Sequence, residues 1–259
     1  MCLSYAYFGH HKCATQWIQS IVRNVCAEVG LRHTTYNSPR EFGQDLPSTL
    51  HTNPIDFLSY ANASASHISG LSGYKAFHVV RDPRDIIVSA YFSHKYSHPM
   101  PEPRAGAAWL TADYRRTLQE VDQETGLLMV LEKRAGQFVQ MLQWDYRQPH
   151  IKEVRFERLT ADPAGEFRGI FQHLGLLDMA SPTNGPQLTG ERLDSILCRH
   201  SFTTKAKGRT PGQEDPMAHY RKGMPGDWRV YFTPEHVSRF KEQYNPLLVA
   251  LGYEQTADW

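Results

Sequence analysis

Lys12 and Thr15, Arg81, and the run Arg221, Lys222, Gly223 are the residues whose types and placing suit the holding of an anion. Lys12 and Thr15 lie in YFGHHKCATQWI, residues 7–18, just where an apolar repeat begins. At a helix start the first N–H groups lack internal partners and the dipole favours negative charge, so a lysine and a hydroxyl there make a phosphate site. Arg81 and Ser89 belong to RDPRDIIVSAYFSH, residues 81–94, and a guanidinium offers bidentate recognition of phosphate that packing does not require. Arg221 and Lys222 set two cations beside Gly223, a residue that lets backbone approach a ligand. The chain has 13 histidines, so residue type alone does not single one out as a base.

The elements that position these groups follow from the pattern around them. Residues 3–8 (LSYAYF) carry no charge and suit a buried strand rather than an edge. Trp17, Ile18, Ile21, Val22, Val25, Cys26 and Val29 then recur at three and four residues until Gly30 stops them, which predicts a helix. Residues 75–80 (KAFHVV) read as a strand, followed by a helix with Asp82 as its cap, Pro83 at its first position and Asp85 in its first turn. A parallel sheet brings such strand-to-helix junctions together along its C-terminal edge. Residues 31–36 read as a further strand, 37–54 as loop and 55–60 as a short helical turn. Residues 97–106, with three prolines, read as an irregular loop, and 109–146 as helix in two pieces broken near Gly126. Val154–Phe156 reads as a strand entering a helix, and residues 205–228 as a basic loop. The last helix is opened by Thr233 and Pro234, with Pro246 expected to kink it.

With 259 residues and no repeat or low-complexity linker, the chain is expected to form a single domain over 1–259. Lysine and arginine number 28 against 27 acidic residues, so no global basic field points to nucleic acid or an anionic membrane, and any anion site is local. Cys2, Cys13, Cys26 and Cys198 show no CxxC spacing, which favours a reducing compartment. With no targeting segment and no apolar span, the expectation is a soluble cytoplasmic protein. His94 and His98, or His10, His11 and Cys13, lack the further ligands and the HExxH pattern of a zinc site, so no metal is expected. Lys12 is followed by Cys13 and not by Ser or Thr, unlike the GxxxxGK[ST] loop of nucleoside-triphosphate enzymes.

The segment His11, Lys12, Cys13, Ala14, Thr15, Gln16, Trp17 resembles the 5′-phosphosulfate loop PKSGTTW of the sulfotransferases that use 3′-phosphoadenosine 5′-phosphosulfate (PAPS). Residues 81–94 resemble that family's 3′-phosphate motif RNPKDVAVSYYH, and RKGMPGDW resembles its RKGxxGDW element. The resemblance runs in order from Tyr7 to Thr233. It implies an α/β fold with a mostly parallel central sheet flanked by helices and a P-loop-like strand-loop-helix phosphate site. It also implies transfer of a sulfuryl group from PAPS to a hydroxyl or amine of a small-molecule or glycan acceptor, leaving 3′,5′-ADP (PAP) and needing no metal. Lys12 then stabilises the departing 5′-phosphate with Thr15 beside it, and residues 12–17 cradle the nucleotide, with Trp17 on adenine. Arg81, Ser89, Arg221, Lys222 and Gly223 hold the 3′-phosphate, and Phe156 and Phe202 border adenine. His67, in ASASHIS, takes the place of the base histidine of KxHLP, with Ala65 where the family has a lysine. Ala14 replaces the loop glycine, implying a backbone that does not depend on glycine, and Gln16 replaces a hydroxyl with an amide that still donates. The family's dimer motif KxxxTVxxxE has no counterpart, so oligomeric state is open. Two other readings remain: a nucleotide kinase or ATPase of related architecture, and a non-catalytic 3′,5′-ADP-binding protein.

Overall fold

The uncharged run at the start of the chain forms β1 (Tyr5–Gly9), buried from Ala6 onward because neighbours flank it on both sides. The computed structural model describes residues 3–43, 45–100, 110–178 and 186–259. Cys2, Gln44, Trp109 and residues 101–106 of the proline-rich loop lie outside the described residues. After β1 come α1 (Thr15–Val29), β2 (His33–Tyr36), α2 (Leu46–Thr52), β3 (Phe57–Tyr60), α3 (Ala65–Ile68), β4 (Lys75–Val80) and β5 (Ile151–Arg155). The strands form one sheet in the order β2-β3-β1-β4-β5, parallel in every pairing. This is the α/β architecture expected, with β1 at its centre.

The register sets the ends of the strands side by side. Phe8 pairs with Tyr60, Gly9 with Val79, and Val80 with Arg155. The chain therefore leaves β1 toward Lys12, β3 toward His67, β4 toward Arg81 and β5 toward Phe156 along one sheet edge, where parallel α/β sheets bind ligands.

The segment between β2 and β4 corrects the sequence reading. Residues 37–54 are largely helical: a 3-10 turn at Pro39–Phe42 is followed by α2, whose cap Asp45 accepts from the Ser48 N–H with Pro47 in the first turn. Residues 57–60 are a strand and not a helical turn, because all four side chains are buried between β1 and β2. Leu58 and Tyr60 join Ala6, Phe8, Phe42, Leu46 and Trp144 in one core cluster.

The chain divides into two compact units, Met1–Arg81 with Gln143–Thr204, and Asp82–Leu142 with Lys205–Trp259. The first holds the sheet and α1. There the helix Pro163–Leu174 packs on β4, and Gly190–Arg199 packs on α1. The second is helical. Its first helix, α4 (Pro83–Phe92), is capped by Asp82, which accepts from the Arg84 N–H, and it packs against Gln123–Lys133 and Pro234–Ala250. Residues 112–142 form three helices, not two, and the expected break at Gly126 is absent. The breaks fall instead at Asp122, which caps the second helix by accepting from the Thr125 N–H, and at Arg134, which ends that helix. Gly126 sits inside that helix because a Cβ there would lie 2.5 Å from the Tyr91 ring. The last helix runs as one element through Pro246.

Candidate active site

The loop after β1 is built by backbone conformation. Lys12 has φ 70° and Ala14 has φ 61°, ψ 21°, so both occupy the left-handed region. The expectation that Ala14 needs no glycine-like backbone is therefore wrong: the loop keeps the glycine conformation and places a Cβ on it. Strain of this kind is held in place by surrounding contacts and gathers at functional sites. Here the contacts converge on the His10 carbonyl, which accepts from the Cys13 N–H at 3.1 Å and from the Thr15 hydroxyl at 3.0 Å. No side chain caps α1 and no acidic residue occupies its first turn. The start of α1 thus offers N–H groups with no side-chain cap and no acidic residue of its own first turn, which suits a phosphate.

Beneath the loop lies a buried polar chain. His10 and His78 share a hydrogen bond at 2.9 Å between their Nε2 atoms, and His78 Nδ1 meets Glu153 Oε2 at 2.7 Å. Trp144 Nε1–H donates to Glu153 Oε1 at 3.0 Å and stacks on His78 at 4.1 Å. Burial, reinforced by the field of His78, pushes the His10 pKa well down, so this ring is a neutral floor and adds no cation to the loop. Cys13 is fully buried and its thiol is pushed up to about 12, chiefly by burial. It contributes a backbone N–H to the loop geometry and no thiolate.

Arg81, at the end of β4, meets this loop. Its Nη1–H donates to the Lys12 carbonyl at 3.2 Å, and its guanidinium lies 4.3 Å over the Phe156 ring. The structure therefore brings together Lys12, Cys13, Thr15, Arg81 and Phe156. Trp17 packs edge-on against Phe167 at 5.4 Å, half-buried, and Gln16 is exposed. Phe202 opens a one-turn helix, Phe202–Lys205, and is half-buried. His67, in α3, has its Nδ1 2.7 Å from the Tyr60 hydroxyl, with Phe42 edge-on at 5.7 Å. Burial, with the field of Glu41, raises the Tyr60 pKa, so the phenol stays neutral beside the imidazole. It fixes the ring and leaves Nε2 as the nitrogen turned from the pair.

In the second unit, Ser89 lies in α4 and Gly223 has φ 71°. Arg221 pairs with Glu214 and Asp227, and Lys222 pairs with Asp227. The surrounding loop is pinned from several sides. Arg209 donates to the carbonyls of Gln213, Tyr220 and Arg221, and Asp85 accepts from the Gly226 and Trp228 N–H groups at 2.6 and 3.0 Å. Arg84 lies 3.9 Å over the Trp228 ring while bonding Asp82 and Glu254. Tyr60, Asp85 and Asp227 are the supporting residues that residue type and spacing missed. Asp85 and Asp227 lie inside the motifs at 81–94 and 221–228, but nothing in sequence ties Tyr60 to His67 across the seven residues between them.

Comparison with known proteins bears on the fold and the family. The chain is 23% identical to human sulfotransferase 2A1 over 262 residues, covering 95% of this chain and 78% of that protein. In fold it is similar to mouse sulfotransferase SULT7A1, solved in complex with PAP (TM-score 0.61, 15% identity, 98% of this chain and 86% of that one). It is also similar to retinol dehydratase, solved with androsterone and inactive cofactor PAP (TM-score 0.54, 14% identity, 96% and 81% covered). The sulfotransferase domain family model matches residues 71–252, a span that takes in Arg81, Ser89 and Arg221. With most of its length matched in this way, the chain belongs to the sulfotransferase domain family.

Proposed function

We propose that this sulfotransferase carries a sulfuryl group from PAPS to a hydroxyl or amine of a small-molecule or glycan acceptor by in-line displacement. The acceptor oxygen or nitrogen bonds to sulfur as the bond from sulfur to the bridging 5′-phosphate oxygen breaks. The acceptor proton passes to His67, and 3′,5′-ADP leaves. The observation that carries the reading is the strained loop at the start of α1, whose Lys12 carbonyl is held by Arg81 and whose helix has neither a side-chain cap nor an acidic residue in its first turn. Lys12 and the α1 N–H groups would stabilise charge growing on the departing phosphate. The Thr15 hydroxyl proton already serves the His10 carbonyl, so Thr15 supports the loop while Lys12 and the α1 N–H groups supply the donors. Trp17, Phe156 and Phe202 keep the adenine contacts that the motifs imply, and Arg81, Ser89, Arg221, Lys222 and Gly223 keep the 3′-phosphate. Lysine, arginine and the helix dipole supply the positive charge, so the reading needs no metal. PAP in the structures of SULT7A1 and retinol dehydratase supports the donor, and androsterone in the latter supports a small-molecule acceptor. Buried free thiols at Cys13 and Cys26 support a reducing, cytoplasmic setting.

Thermal shift tests this reading. A ligand at a hundred times its Kd adds about 2.7 kcal/mol of stability. We expect 3′,5′-ADP to raise Tm and ATP with magnesium to leave it unchanged. The reverse pattern would transfer the chain to the kinase reading.

A further inference from the structure

The cations of the RKG element are already neutralised within their own unit. Arg221 gives one Nη–H edge to Glu214 and the other to Asp227, while Lys222 pairs with the second oxygen of Asp227. Two cations thus face two carboxylates, and the cluster carries no net charge. Only 10% of the Arg221 side chain is exposed, with the Phe92 ring 4.6 Å from its guanidinium carbon. A 3′-phosphate brings a charge of about −1.5 to −2 at neutral pH. It cannot join this cluster beside both carboxylates without strong like-charge repulsion.

The two carboxylates are not equivalent. Asp227 is 1% exposed and uses both oxygens on Arg221 and Lys222. Glu214 has a side chain 24% exposed, lies in the irregular segment before Arg221, and takes its second bond from the Tyr231 hydroxyl at 2.9 Å. Burial, with Glu214 next, pushes the Tyr231 pKa up to about 12, so the phenol is a steady donor to that carboxylate. Asp227 is therefore the fixed counter-ion and Glu214 the exchangeable one. A phosphate oxygen offers the Arg221 Nη1 edge the acceptor that Glu214 supplies.

We propose that Glu214 is a specificity-determining residue, an internal counter-anion that competes with the nucleotide 3′-phosphate for Arg221 and sets how tightly 3′-phosphorylated nucleotides are held and released. The proposal rests on the reading of Arg221 as a 3′-phosphate contact. Both are tested by calorimetric titration of the full chain with 3′,5′-ADP and with 5′-AMP. Glu214→Gln keeps the shape and removes the charge. Its Kd for 3′,5′-ADP should fall about five- to tenfold while that for 5′-AMP stays within twofold, a gain that structural damage would not produce. Tyr231→Phe, which releases Glu214 from its second bond, should shift the same ratio in the same direction by a smaller factor and serves if Glu214→Gln does not fold. Unchanged or weaker 3′,5′-ADP binding in these variants would overturn the role of Glu214. Arg221→Gln separates the two claims: it should weaken 3′,5′-ADP and not 5′-AMP. Equal weakening of both, or of neither, overturns the Arg221 reading and the Glu214 proposal with it, whereas selective weakening with an inert Glu214→Gln removes the Glu214 proposal alone.

Discussion

Ala14 occupies a conformation that disfavours every residue with a Cβ, and replacing it with glycine should stabilise the protein. At φ 61°, ψ 21° the alanine is left-handed, which costs about 1–2 kcal/mol relative to a residue without that Cβ. Glycine offsets part of this gain, because its freer unfolded chain loses about 0.4–1 kcal/mol more on folding. The balance is about 0.5–1 kcal/mol in favour of Ala14→Gly. For a chain of this size 1 kcal/mol moves Tm by about 2–4 °C, so the variant should melt roughly 1–4 °C higher. Gly30 gives a control of opposite sign on the same helix. It ends α1 at φ 72°, ψ 27° with its N–H on the Cys26 carbonyl, and Gly30→Ala should lower Tm by a comparable amount. Differential scanning calorimetry of the three proteins decides the matter. A lower Tm for Ala14→Gly, with Gly30→Ala behaving as stated, would refute the left-handed loop and the idea that strain is held there.

Gly126→Ala should destabilise the second unit by about 1–3 kcal/mol, because its Cβ would press on the Tyr91 ring, and urea unfolding measures the loss. His67→Ala should lower turnover by about a hundredfold or more while 3′,5′-ADP still raises Tm, and near-normal turnover would remove His67 from the mechanism. Stability should also fall as pH drops below about 6.5, where the unfolded histidines take up protons. Folded His10 titrates well below that value, and folded His33 at about 4, through burial and the field of Arg23. The unfolded state thus binds protons first, so the stabilisation is complete above pH 6.5 and His33's share is lost by about pH 4. Urea midpoints at pH 7.5 and 5.5 should differ, and His33→Gln should narrow the difference. Equal midpoints in the native protein would contradict it.

The legible parts of this fold were those where local chemistry and tertiary placement agree. The uncharged run into β1, the apolar repeat of α1 ending at Gly30, and Asp82 with Pro83 at the start of α4 each declare their structure within a few residues. Where burial overrides local preference, the reading failed. Residues 57–60 carry a serine and follow a polar stretch, yet they are a central strand because β1 and β2 enclose them. Gly126 looked like a helix breaker because the Tyr91 ring that explains it is 35 positions away in the chain. In the site, the residues proposed to hold the anion stood out by type, spacing and resemblance, whereas the contacts that support them did not. Tyr60 behind His67, and Asp85 behind Gly226 and Trp228, are contacts between segments that no local pattern links.

The central claim is that Lys12, on a strained loop at the start of α1, drives departure of the nucleotide from sulfur. The most direct test is the rate of radiolabelled sulfuryl transfer from PAPS to a panel of phenols, alcohols, amines and glycans, measured for the native protein and for Lys12→Ala. We expect label to reach at least one acceptor class, and its rate to fall by about a hundred- to a thousandfold in Lys12→Ala, as loss of one charge-stabilising donor implies. Equal rates in the two proteins would contradict the account.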